Sequence, residues 1–136
     1  EESPELLIDR ATLTGAARVA LGPDLPPFYT EDKTLSDDLM ATSEQTCDPL
    51  WPMPFWEPYD DWLSSKIADV NHISTGGFAG SITAALFLRR FVKQAKSYIH
   101  FDIYGWSPKP GNGKTYGGEP QAIRTLFAYL QQRYGK

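Results

Sequence analysis

The residues of this chain that could do chemistry are few, and their spacing decides how far each can be taken. His100 and Asp102 stand two apart in the apolar run Tyr98-Ile99-His100-Phe101-Asp102-Ile103, so on a strand both side chains leave the same face. Such a pair could ligate a metal or move a proton, but a histidine inside an apolar strand is more often a satisfied core residue, and the structural role is favoured. His72 has no second ligand at metal spacing, and the chain contains no His-x-x-x-His, cysteine pair or acidic constellation of the zinc type. Glu31, Asp32, Asp37 and Asp38 lie about the start of a helical stretch and suit the positive end of its dipole better than a cation site. Gly113-Lys114-Thr115 ends like a phosphate loop, yet Pro108 stands where the first glycine of that loop belongs. Gly111-x-Gly113 likewise fails the dinucleotide fingerprint, because Tyr116 takes the place of its third glycine. No glycine-flanked serine and no Cys/His pairing marks a nucleophile. Taken residue by residue, the chain carries no catalytic set.

One stretch does invite a ligand. Leu6-Leu7-Ile8 has the composition of a buried strand and runs into Ala11-Thr12-Leu13-Thr14-Gly15, a small, hydroxyl-rich segment closed by glycine. In α/β domains the carboxyl ends of strands gather ligand-binding loops, and a glycine there lets main chain approach closely. A core strand ended by a glycine turn accounts for the same residues.

The elements that must position this loop follow in order. Prolines make residues 23–27 a loop, Phe28-Tyr29-Thr30 reads as a short strand, and Lys33–Thr46 as a helix capped by Ser36 or Thr34 with Leu35, Leu39 and Met40 on one face. Asp48–Pro58, with four prolines and Trp51, Phe55 and Trp56, reads as an extended arm that covers core or meets another subunit. A short helix over Glu57–Ser65 turns Tyr59, Trp62 and Leu63 inward. Ala79–Lys93 is apolar nearly all round and reads as a buried helix whose Arg89, Arg90 and Lys93 form a solvated edge. Ser97–Trp106 reads as a buried strand, Pro108–Gly118 as a loop, and Pro120–Tyr134 as a closing helix with Ile123, Leu126, Phe127, Leu130 and Tyr134 on one stripe. Strands separated by helices predict an α/β fold with a mainly parallel or mixed sheet flanked by helices.

Composition bounds the function. The 136 residues, 41% hydrophobic, suffice for one core. A net charge of −4 with scattered basic residues argues against a nucleic-acid surface. Cys47 is the sole cysteine, which excludes an internal disulfide and fits a reducing cytosol, and there is no apolar run of membrane-spanning length and no signal-peptide pattern. The opening Glu1-Glu2-Ser3-Pro4 lacks a methionine and enters a buried-strand pattern at once, as though cut from something longer.

Asp9-x-Ala11-Thr12-Leu13-Thr14-Gly15-Ala16, followed by Val19-Ala20-Leu21-Gly22, resembles the D-x-A-T-L-T-G-A…A-L-G signature of the M17 leucyl aminopeptidase (cytosol aminopeptidase) family. The resemblance continues in the family's order through Trp51-x-Met53-Pro54, Ala68-Asp69-Val70-Asn71, Ala79-Gly80-x-Ile82-Thr83-Ala84-Ala85-x-Phe87-Leu88, His100-x-Asp102-Ile103 and Gly117-Gly118-x-x-x-x-Ile123-Arg124. It implies that residues 1–136 are the C-terminal portion of a larger metallo-exopeptidase catalytic domain. The family members are cytoplasmic, hexameric aminopeptidases that use two divalent metal ions, zinc or manganese, and a bicarbonate to release N-terminal residues, often leucine, from peptides. Their metal ligands and the arginine that holds bicarbonate lie upstream of the A-T-L-T-G stretch, so the resemblance implies no catalytic residue and no metal ligand in this chain. It would then bind neither metal nor bicarbonate alone and be inactive by itself.

What carries over is substrate-side. Thr12, Leu13 and Gly15 match positions whose main chain lines the substrate cleft, and Tyr104 and Ser107 match positions that line the pocket for the N-terminal side chain. A bulky Tyr104 and a polar Ser107 imply a narrower or more polar pocket than one built for leucine. Arg10, where the family is usually apolar, and Pro52, where a basic residue is usual, are smaller departures. The expected partners are peptides and further copies of the chain, with no membrane and no nucleic acid. The alternative is a non-catalytic interaction or oligomerisation scaffold on the same fold, with the Trp51–Trp62 arm as its contact.

Overall fold

The apolar run at Leu6 becomes strand β1 (Leu6–Ala11) in a computed structural model that describes residues 3–111 and 113–135. Glu1 and Glu2, on which the reading of the chain's opening partly rests, lie outside the described residues. Helix α1 (Ala16–Leu21), strand β2 (Pro27–Tyr29), helix α2 (Lys33–Gln45) and strand β3 (Trp51–Met53) follow. A 3-10 helix (Glu57–Leu63), helix α3 (Gly80–Arg89), strands β4 (Ser97–Asp102), β5 (Trp106–Ser107) and β6 (Gly117–Gly118), and helix α4 (Ile123–Tyr134) complete the order.

The main sheet runs β1-β4-β2-β3. β1 and β4 are parallel, from Leu6 opposite Ser97 to Ala11 opposite Asp102. β2 is antiparallel to β4, and β3 parallel to β2. The sheet is thus mixed and mainly parallel, with helices about it, as the alternation of elements predicts. On one face Phe28, Ile99 and Phe101 pack with Leu35 and Leu39 of α2 and with Leu126 and Tyr129 of α4 to make the core. On the other, His100 and Asp102 are buried too, with Ser81 of α3 hydrogen-bonded to Asp102. β4 therefore alternates although both its faces are covered, with Ile99 and Phe101 towards the apolar core and His100 and Asp102 towards the polar face.

Several elements differ from their sequence reading for identifiable reasons. The cap of α2 is Asp32 rather than Ser36 or Thr34: its carboxylate accepts from the Leu35 amide at 3.0 Å and from the Ser97 hydroxyl at 2.7 Å, so a β4 residue selects the cap. The strand at Ser97 ends at Asp102 instead of reaching Trp106, because Gly105 adopts a φ of +67° and turns the chain into the β5–β6 hairpin. Arg89 and Arg90 are not a solvated edge. Arg89 pairs with Glu31 and Glu57, and Arg90 grips Asp60 with two nitrogens, so together they fasten the end of α3 to the 3-10 helix, while Lys93 remains exposed. Within that helix Leu63 is buried, and Tyr59 and Trp62 stack on each other with ring centroids 4.1 Å apart.

Helix α4 is rotated from its apolar stripe. Ala122, Thr125, Leu126 and Tyr129 face inward, whereas Ile123, Phe127 and Tyr134 are exposed. Asp48 causes this: its carboxylate accepts from the amides of Ala122, Arg124 and Thr125 at 3.2, 2.9 and 3.1 Å, and its carbonyl accepts the Thr125 hydroxyl at 2.9 Å. The first turn is thereby turned by hydrogen bonding to a fixed point, and the apolar pattern follows.

Candidate substrate-binding crevice

Because β1 and β4 are parallel and in register to their last residues, the loops that leave them emerge side by side. The Ile103 amide donates to the Ala11 carbonyl at 2.8 Å, carrying the ladder one step past the strands. Beyond it lie Thr12–Gly15 on one side and the turn through Tyr104 and Gly105 on the other. This is the carboxyl end of two parallel strands, where α/β sheets gather ligands.

A polar relay ties the first loop to the end of β4 and to α3. The Thr14 hydroxyl donates to Asp102 Oδ2 at 2.9 Å, and the Ser81 hydroxyl donates to the same oxygen at 2.9 Å. With its own proton so directed, Ser81 accepts from the Tyr29 hydroxyl 2.5 Å away. Burial pushes the Tyr29 phenol well above its ordinary pKa, the Ser81 hydrogen bond opposes that rise, and the Asp102 charge adds to it, so the phenol stays a donor. Next to this relay, His100 Nδ1 lies 2.7 Å from Asp9 Oδ1, and Asp9 Oδ2 accepts the Tyr98 hydroxyl at 2.5 Å. The Asp9 carboxylate fixes the Nδ1–H tautomer, and the His100 ring stacks on Tyr29 with centroids 5.7 Å apart. His100 and Asp102 share a strand face but have different partners, and His100 is not the fully satisfied core histidine expected, because its Nε2 is buried without a hydrogen-bond partner among the described residues.

Thr12 and Leu13 are exposed on the loop, and Leu13 and Thr14 help line a cavity of about 330 Å³ with His72, Ile73, Thr83 and Phe87. Gly15 caps α1 and lies against the Arg18 side chain, whose Nη2 would be 2.8 Å from a Cβ at that position. Tyr104 is half-buried with the Arg18 guanidinium 4.2 Å above its ring. The Tyr104 and Gly105 amides both donate to Gln121 Oε1 at 3.0 Å, and Gln121 Nε2 donates to the Pro23 carbonyl at 2.6 Å. The Arg10 guanidinium donates to the Gln121 carbonyl, so this departure from the apolar pattern braces the second loop. The fold therefore brings Gly15 and Tyr104 to a common side chain, Arg18. Ser107 sits in β5, buried, with its hydroxyl donating to the Lys109 carbonyl at 2.9 Å inside the hairpin.

Sequence reasoning passed over Arg18, Ser81 and Gln121. Arg18 had a signal, being the one charge in the otherwise apolar Ala16-Ala17-Arg18-Val19-Ala20-Leu21. Ser81 and Gln121 had none, since their partners are remote in the chain. Lys114, in the phosphate-loop lookalike, is paired with Asp24 at 3.0 Å. Among the described residues no group of three or more His, Cys, Asp or Glu side chains could hold a metal ion. No helix among them is long and apolar enough to cross a membrane. The arrangement offers main-chain groups, a stacked cation and a tyrosine, which can bind and orient a ligand.

The catalytic-domain model of the cytosol aminopeptidase family matches residues 1–127. A "Probable cytosol aminopeptidase" of Chlorobium limicola is 38% identical over 130 residues, covering 96% of this chain and 26% of the relative. The protein of that name from Alcanivorax borkumensis is 43% identical over 130 residues, with the same coverage. Among solved structures, cytosol aminopeptidase from Coxiella burnetii superposes with a TM-score of 0.90 at 45% identity, covering 97% of this chain and 29% of that one. The bottromycin maturation enzyme BotP, in complex with Mn, gives 0.89 at 32% identity, covering 95% and 29%. The chain spans about a quarter of the length of the curated relatives it matches.

Proposed function

The chain belongs to the cytosol aminopeptidase family, and from that premise we propose that it forms the substrate-side wall of a metal-dependent aminopeptidase that releases N-terminal residues, leucine-type by resemblance, from peptides. The observation that carries the reading is the parallel pairing of β1 with β4, which sets Thr12–Gly15 beside Tyr104 at one end of the sheet. In this reading the main chain of Thr12, Leu13 and Gly15 runs along the peptide, Tyr104 and Ser107 border the place of its first side chain, and the Asp102 relay holds the loop in place. In this reading divalent metal, zinc or manganese, and bicarbonate are held by the rest of the full-length protein, as the family resemblance implies. The isolated chain is then inactive. Exposed Trp51 and Trp56 favour an additional role for the arm in assembly, with a homo-oligomer as the family resemblance implies.

The test is hydrolysis of leucine p-nitroanilide, with manganese or zinc added, by this chain and by the full-length protein. An active full-length protein beside an inactive chain supports the reading. Turnover by the pure chain would put the chemistry on His72, His100 or Asp102 and overturn it.

A further inference from the structure

Among the described residues Arg18 is a cation without an ion-pair partner. Eight ion-pair contacts among the described residues involve Arg89, Arg90, His100, Lys114, Arg124 and Arg133, and none involves Arg18. Its side chain is nevertheless held. The guanidinium lies 4.2 Å over the Tyr104 ring and against the bare α-carbon of Gly15. Stacking fixes the plane of a guanidinium while leaving its edge N–H groups free to donate in a fork that matches a carboxylate. Gly15 contributes by omission, since a side chain there would meet Arg18 Nη2.

The space about Arg18 points the same way. Thr14, Arg18, Asp102, Tyr104 and Gln121 border a cavity of about 10 Å³, room for no more than a single water. Arg18 itself is exposed, so a ligand at Gly15 and Tyr104 meets the guanidinium at the rim.

We propose that Arg18 is a specificity-determining residue of the crevice and selects peptides whose first residue carries a carboxylate side chain, aspartate or glutamate. This rests on the reading of the crevice as the holder of the peptide's N-terminal residue. The guanidinium forks to the side-chain carboxylate, stacking on Tyr104 holds its orientation, and Gly15 leaves the approach open.

The experiment compares kcat/KM of the full-length protein, metal added, on aspartyl, asparaginyl, leucyl and lysyl p-nitroanilides. Aspartate and asparagine differ by the charge and hardly in size, so their ratio isolates Arg18; a preference for aspartyl of about tenfold or more is expected. In Arg18→Gln that ratio falls close to one, and in Arg18→Glu the lysyl substrate gains on the aspartyl one, an outcome that loss of folding cannot imitate. Hydrolysis of leucyl and asparaginyl substrates with no aspartyl preference overturns the proposal and leaves the aminopeptidase reading intact. If the full-length protein cleaves none of the four, that reading falls, and NMR titration of the chain with Asp-Ala and Asn-Ala decides the remainder. Shifts of the Arg18 Nε–H with Asp-Ala alone support the carboxylate site, and equal or absent shifts overturn it.

Discussion

Asp48 and Asp102 are the same residue at the same burial, 5% and 4% exposed, but they are satisfied by different kinds of donor. Asp48 accepts from three main-chain amides at the start of α4. Asp102 accepts from two hydroxyls, Thr14 on the crevice loop and Ser81 on α3. Amide donors are fixed by the path of the chain, so an aspartate that collects three of them determines that path. Hydroxyl donors turn about one bond, so an aspartate that collects two of them holds a loop while letting it adjust. The difference separates a residue that belongs to the fold from one that belongs to the site, and burial alone does not make that separation.

The largest effect that would break this comparison is at Asp48. Asp48→Ala leaves three amides at the head of α4 without a partner in a buried setting, and a stability loss of about 2–3 kcal/mol in urea denaturation is expected. Hydrogen exchange should quicken along α4 and in α2, which packs on it through Thr46 and Thr125, 3.0 Å apart at their hydroxyls. A loss below about 0.5 kcal/mol would show that α4 is held by its apolar face alone.

A smaller and more local effect is expected at Thr14. Thr14→Val keeps the shape and removes one donor from Asp102, whose Oδ2 still accepts from Ser81. The loss should be about 1 kcal/mol, with faster amide exchange confined to Leu13, Thr14, Gly15 and Ala16, whose amide donates to the Thr14 hydroxyl at 3.3 Å, and Thr14→Ser should restore the slow exchange. If exchange rises equally in α4, the two aspartates are parts of one cooperative unit and the distinction fails.

The contrast also explains what was legible in the sequence. β1, α2, α3, β4 and the glycine-closed loop were readable because their apolar runs and turn residues are local. The resemblance located Gly15 and Tyr104, which the fold brings to a single side chain. The rotation of α4 was not readable, because Asp48 imposes it across 74 residues against an apolar stripe that points elsewhere. The same holds for the cap of α2, where Thr34 and Ser36 are sound local candidates and Ser97 decides in favour of Asp32. Arg89 and Arg90 looked like a solvated edge because the acidic 3-10 helix that meets them lies some thirty residues earlier. Hydrogen bonds between remote polar groups leave no periodic trace, and they account for nearly every departure.

Asp32 sharpens the comparison from its weak end, since it caps a helix as Asp48 does but from a half-exposed position. Its carboxyl is held below the usual carboxylate range, first by the Ser97 hydroxyl and then by the Leu35 amide, with burial opposing both. A carboxylate whose folded pKa is depressed stabilises the fold fully above its unfolded value of about 3.9, and that contribution drains away as pH falls through the lower folded value. Asp32→Asn keeps a competent cap and removes the titration. In urea melts the wild type should therefore exceed Asp32→Asn by a few tenths of a kcal/mol near neutral pH, and the two should converge as acid protonates the folded carboxylate, below its unfolded range. A gap that persists unchanged in acid would assign the effect to hydrogen-bond geometry rather than charge, and would make Asp32 a smaller copy of Asp48 in mechanism as well as in place.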